Sequence, residues 1–186
     1  MLPNAISLQQ LFDGPVKSRQ HLAEELYQKH GAFLLLDEGL RADIELMKEY
    51  AHLLSAHMTK IGMGESCSRC AAGTGGGCCS LYMAGETDAI QMLMNMLAGI
   101  TVLQVRNDGV ECSYLGGAGC LFTFKPMFCL NYNCKSIRES VSPENARKLE
   151  RLTGQLLGKQ YQVEQRLLAL IKNVWGLREI ISSASI

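Results

Sequence analysis

The chain has 186 residues with 18 basic and 18 acidic side chains, a formal net charge of zero, and is 47% hydrophobic and 19% charged. That length fits one domain with a core able to stand without disulfides. The apolar content excludes a disordered chain, and the lack of a basic field argues against nucleic acid as a partner. Apolar runs such as Ala32–Leu36 fall far short of the roughly 20 residues that span a bilayer. The opening MLPNAISLQQ lacks a basic stretch followed by an apolar one, so the expected setting is cytoplasmic, away from membranes.

Residues 1–62 read as helices. Ser18 is placed to cap a segment holding His21, Leu22, Glu25, Leu26 and Lys29, which Gly31 should end. From Arg41 to about Ile61, the residues Ile44, Met47, Tyr50 or Ala51, Leu54, Met58 and Ile61 recur every three or four positions, on one helical face. Gly62 and Gly64 then stop the helix. In the centre, Thr87 to about Leu97 predicts a Met-rich helix capped by Thr87 or Asp88. The β-branched run Ile100–Arg106, followed by the turn signal Asn107-Asp108-Gly109, predicts a short strand or hairpin. Leu121–Phe128 is aromatic-rich but interrupted by Pro126.

Residues 136–186 hold the clearest element. Ser142-Pro143-Glu144 combines an N-cap, a proline in the first turn and an early acid. From Ala146 through Leu149, Leu152, Leu156, Val163, Leu167, Leu170, Ile171 and Val174 a 3.6-residue rhythm persists, with a slip near Gln160. Gly154 and Gly158, one turn apart, either admit a neighbouring backbone or are merely tolerated. The expected fold is therefore mainly α: a single helical domain, 1–186, with an irregular Gly/Cys-rich metal-binding centre over 63–135 and a short β hairpin. The final helix either closes its own core or pairs with a second copy as a homodimer.

All eight cysteines lie between Cys67 and Cys134, as do most of the glycines. In a reducing cytosol metal binding is the better expectation than a disulfide framework. The first cluster is Cys67-Ser-Arg-Cys70, then AAGTGGG, then Cys78-Cys79. Two thiolates two residues apart can converge on one metal through a tight turn, and Gly73, Gly75, Gly76 and Gly77 free backbone amides to point at sulfur. Arg69, Lys125, Lys135 and Arg138 are placed to offset the negative charge of a four-thiolate centre. A phosphate loop is excluded because no Lys-Ser/Thr follows the glycines. A thiol–disulfide enzyme fits poorly, since a redox CxxC opens a helix after a strand.

The second cluster is Cys112, Cys120, Cys129 and Cys134, within ECSYLGGAGCLFTFKPMFCLNYNC. Gly116, Gly117 and Gly119 give turning freedom, Pro126 stiffens the approach to Cys129, and Tyr114, Phe122, Phe124, Phe128 and Tyr132 supply a dry wall around the thiols. Adjacent Cys78 and Cys79 tend to diverge and to serve different centres, unless one is a spare. The competing view makes half of the eight ordinary buried cysteines.

These positions resemble the YkgJ-type CxxCxxCC family of zinc- or iron-chelating proteins, and the cysteine module is also similar to that of flagellin lysine N-methylases. The likeness spans Cys67 to Cys134. The chain departs from it in the seven residues between Cys70 and Cys78, and in Lys125 standing before Pro126 where the family has arginine. The resemblance implies metal chelation by the matching cysteines, most readily as an iron–sulfur cluster of the 4Fe-4S type, and names no substrate.

Other residues offer less. His52 and His57 are five apart and do not share a helical face, so these and His21 and His30 read as surface or satisfied core histidines. Met83, Met92, Met94 and Met96 suit Cu(I) chemically but fit core filling better. Glu86 and Asp88 read as helix-start acids. The expected function is thus an iron–sulfur protein serving electron transfer or cluster-dependent chemistry on a protein partner. The alternative is a structural zinc (Zn2+) module whose flanking helices bind another protein, and a methyltransferase-like enzyme ranks below both.

Overall fold

The computed structural model describes residues 7–63, 66, 78–106, 109–116, 119–131 and 135–175. The fold is mainly α. Helix α1 (Leu8–Phe12) opens with a capping box in which Ser7 and Gln10 satisfy each other's backbone amides. Helix α2 runs Val16–Leu34. It starts earlier than its expected cap Ser18, at Pro15, whose carbonyl receives the Ser18 and Arg19 amides. It also passes through Gly31, which was expected to end it. The Tyr27 ring lies over Gly31 so closely that a Cβ there would sit 2.9 Å from it. The glycine makes room for an aromatic one turn earlier, and packing outweighs its poor helix propensity.

Helix α3 (Glu38–Lys60) is capped by Asp37, whose side chain accepts the Leu40 amide at 2.7 Å. Its buried stripe is Leu40, Ile44, Met47, Ala51, Leu54 and His57, matching the sequence rhythm except that His57 takes the place expected of Met58. Gly62, at φ +66°, ends the turn beyond it in a conformation glycine adopts freely. Gly64 lies outside the described residues. Helix α4 (Leu81–Ala84) is a single turn, and α5 (Ala89–Leu97) follows, capped by Asp88 on the Gln91 amide. Every residue of α5 is buried.

Between α5 and the next helix the chain is largely irregular. Ile100–Arg106 does not form the expected strand. It runs extended, with Val105 bonded to the Ser113 carbonyl at 2.8 Å and Gln20 of α2 reaching the Val102 carbonyl at 3.3 Å. Only Val102 of its large apolar residues is buried, while Leu103 and Val105 are exposed, so alternation across a sheet has nothing to bury. The hairpin forms further on, as β1 (Leu115–Gly116) antiparallel to β2 (Gly119–Cys120), two residues each. Helices α6 (Met127–Asn131) and α7 (Lys135–Ser140) lead to α8 (Pro143–Trp175), 33 residues or about 50 Å long.

Ser142 caps α8 as expected, taking the Asn145 amide on Oγ. Leu149, Leu152, Leu156, Val163, Leu167 and Ile171 bury one face of α8, and α8 packs along α3 and against α5 and α6. The apolar stripe is thereby taken up by this chain's own core. α2 also packs against α5, so α5, buried throughout, lies among the longer helices. Polar ties link α3 to α8: Arg166 pairs with Asp37 at 2.8 Å, Lys159 with Asp43 at 3.1 Å, and His57 Nε2 meets the Asn145 carbonyl at 3.0 Å. Among the described residues no helix is long and apolar enough to cross a membrane.

Two predictions follow from the ends and the outer face of these helices. Gly154 and Gly158 are exposed, and a Cβ at either would meet nothing within 4 Å. Gly154→Ala and Gly158→Ala should therefore each raise stability by about 0.5–1 kcal/mol in a denaturant titration; a loss would mean that this face is occupied. Separately, the Leu40 amide and then the Arg166 guanidinium hold the Asp37 carboxyl below its ordinary value of 3.8. A lowered folded value gives stability that is present above the unfolded value and lost as pH falls through the folded one. Asp37→Asn keeps an acceptor for the cap without the charge, so its melting temperature should fall less than wild type's between about pH 5 and pH 3.

Candidate metal centre

The scaffold of the centre is a set of buried amides. Asn95, fully buried in α5, donates through Nδ2 to the carbonyls of Gln91 and Phe124, both at 2.9 Å, and its Oδ1 receives the amides of Thr123 and Phe124 at 3.1 and 3.0 Å. Gln91, one turn earlier, donates to the same Phe124 carbonyl at 2.7 Å. From α8, Gln160 Nε2 donates to the Lys125 carbonyl at 3.0 Å. Three consecutive residues between Cys120 and Cys129 are thus held by side chains of two helices. The slip at Gln160 in the apolar rhythm of α8 is this contact: a polar side chain at a buried position, 5% exposed.

Four thiols gather around that scaffold. Ser80 and Glu111 form an isolated antiparallel bridge, flanked by the bonds Leu81 N–H to Val110 O at 2.9 Å and Cys112 N–H to Cys79 O at 3.0 Å. This register sets Cys79 directly opposite Cys112. Cys120 lies in β2 opposite Leu115. Cys129 stands in the first turn of α6, its amide bonded to the Pro126 carbonyl at 3.0 Å. All four, and Cys78, are half-buried, and no disulfide joins the described cysteines.

Electrostatics records their proximity. Burial first, then the neighbouring thiols Cys120, Cys79 and Cys112, push Cys129 up to about 12, against the opposing pull of Lys125. Burial is also the largest cause that raises Cys112 and Cys120. Each of these two has a backbone hydrogen bond acting the other way, from the residue two positions on: Tyr114 for Cys112 and Phe122 for Cys120. Hydrogen bonds of that sense favour the thiolate.

The expected aromatic wall is present in part. Tyr114, Phe122 and Phe124 are buried, and the first two rings meet at 4.6 Å. Phe128 is exposed and Tyr132 lies outside the described residues. Cys67, Cys70 and Cys134, like Arg69, also lie outside them. Lys125 acts on Cys120 and Cys129 as expected of a charge-balancing cation, whereas Arg138 is exposed on α7. Met92, Met94 and Met96 fill the core. Of the histidines, His57 is buried with its bond to Asn145, and His21 and His52 are exposed.

Among the described residues, no three His, Cys, Asp or Glu side chains stand at metal-holding geometry. The donor set suits a soft or borderline metal, being sulfur alone with a lysine beside it and aromatic rings behind it. No protein-family model matches the chain, and no curated protein or solved structure does so either.

Sequence reasoning missed Gln91, Asn95 and Gln160. Their signal was available: amides at helical spacing in an otherwise apolar helix, and an amide where the apolar rhythm of α8 breaks. Asn95→Ala would leave the buried Phe124 amide without its side-chain acceptor and its carbonyl with the Gln91 donor alone. A loss of about 3 kcal/mol is expected in chemical denaturation; a change under about 1 kcal/mol would show that the loop is held by other contacts.

Proposed function

We propose that this protein binds metal through cysteines drawn from both sequence clusters, as an iron–sulfur protein working in the cytoplasm in electron transfer or cluster-dependent chemistry on a protein partner. The observation that supports it is the Ser80–Glu111 bridge, which sets Cys79, from the first cluster, opposite Cys112, from the second. Burial first, and then Cys120, Cys79 and Cys112, keep the proton on Cys129, and a bound cation would replace such protons. Backbone hydrogen bonds at Cys112 and Cys120 and the Lys125 ammonium would offset the charge of a thiolate set, and the buried rings would limit water. A cluster held there would supply one-electron transfer. Any pairing of two copies through α8 would use its outer face, because the apolar face is filled.

A structural zinc ion is the competing occupant of the same thiols. Protein purified without oxygen should be brown and contain iron and acid-labile sulfide, whereas zinc protein would be colourless. Cys129→Ser should lose most of the bound metal, and Cys67→Ser and Cys70→Ser test the part of the first cluster outside the described residues. Reduced protein that holds no metal, and takes up neither iron with sulfide nor zinc, would end this reading.

A further inference from the structure

Gln160 lies 26 residues beyond the last cysteine, yet its amide ends on a carbonyl between the aromatic wall and α6. Its Nε2 donates to Lys125 O, and the next residue, Pro126, receives the Cys129 and Leu130 amides at 3.0 and 3.2 Å. Lys125 itself carries the ammonium that acts on both Cys120 and Cys129. One hydrogen bond from α8 thus bears on the start of the helix carrying one thiol and on the cation beside two.

We propose that Gln160 is a positioning residue of the thiol centre, setting where Cys129 and the Lys125 charge stand relative to Cys120. The proposal rests on the metal-binding reading for its consequence, but its geometry is independent of which ion is bound. The other end of the same side chain singles it out from ordinary packing: Gln160 Oε1 is buried without a hydrogen-bond partner. A residue selected for stability alone would be apolar here, like its neighbours Leu156 and Val163 on the same face. An unpaired buried carbonyl costs stability, and the bond to Lys125 is what the amide offers in return.

Gln160→Met keeps the length and apolar volume and exchanges one orphan for another, removing the unpaired Oε1 while releasing the Lys125 carbonyl, so the fold should melt close to the wild-type midpoint. The test uses the full chain, reduced and metal-free, titrated with Co(II) and then with Zn(II) in competition, beside Gln155→Met as an exposed control on the same helix. Loss of an interaction that orients ligands commonly costs about 10–100-fold in metal affinity. The expected result is a cobalt affinity at least about 10-fold weaker for Gln160→Met, with a shifted sulfur-to-cobalt absorption band and an unchanged control. Wild-type affinity and spectrum in Gln160→Met would overturn the proposal. If wild-type protein binds neither ion, the metal reading loses its support while positioning is still decided by alkylation of Cys129: faster modification in Gln160→Met upholds it, and an equal rate overturns it.

Discussion

The fold turns on one buried side chain. Asn95 sits in a helix with no exposed residue, where an unsatisfied amide would cost several kcal/mol. It avoids that cost by bonding to the backbone of Thr123 and Phe124, with Gln91 sharing the Phe124 carbonyl. The relation is mutual. A segment as irregular as Leu121–Pro126 can cross the interior only if its backbone groups find partners, and helix α5 supplies them where a neighbouring strand would otherwise be needed. Removing either side strands the other, so the central helix and the loop between Cys120 and Cys129 are a single cooperative unit.

What could be read from residues alone follows the range of the interactions. Ser142 before Pro143 and Glu144 predicts the start of α8 because a cap involves only the first turn. Asp88 at α5 is the same case, and the stripe Ile44, Met47, Ala51 and Leu54 appears because one helical face repeats locally. The failures are tertiary. Gly31 continues α2 because of the Tyr27 ring above it. Ile100–Arg106 stays extended because no strand among the described residues lies beside it, and strand propensity largely reflects packing against a neighbour.

The cysteines show the same division. Their grouping in one stretch of the chain is a matter of composition, but the sequence clusters are not the spatial ones. Cys79 stands across a short ribbon from Cys112, 33 positions away by number. Pairing of this kind depends on the register at Ser80 and Glu111, which no spacing rule for CxxC motifs contains.

Cys79, Cys112, Cys120 and Cys129 are unequally held. Cys120 and Cys129 bracket the segment locked by Gln91, Asn95 and Gln160, so moving them means disturbing buried hydrogen bonds in two helices. Cys79 and Cys112 lie instead on a ribbon whose side chains Leu81 and Val110 are exposed, the latter 68%. An exposed ribbon opens and shifts at lower free energy than a core helix. Of these two pairs, the one on the ribbon can change its spacing at the lower cost to the helical core, while the pair flanking Leu121–Pro126 moves only with the buried amides that hold that segment.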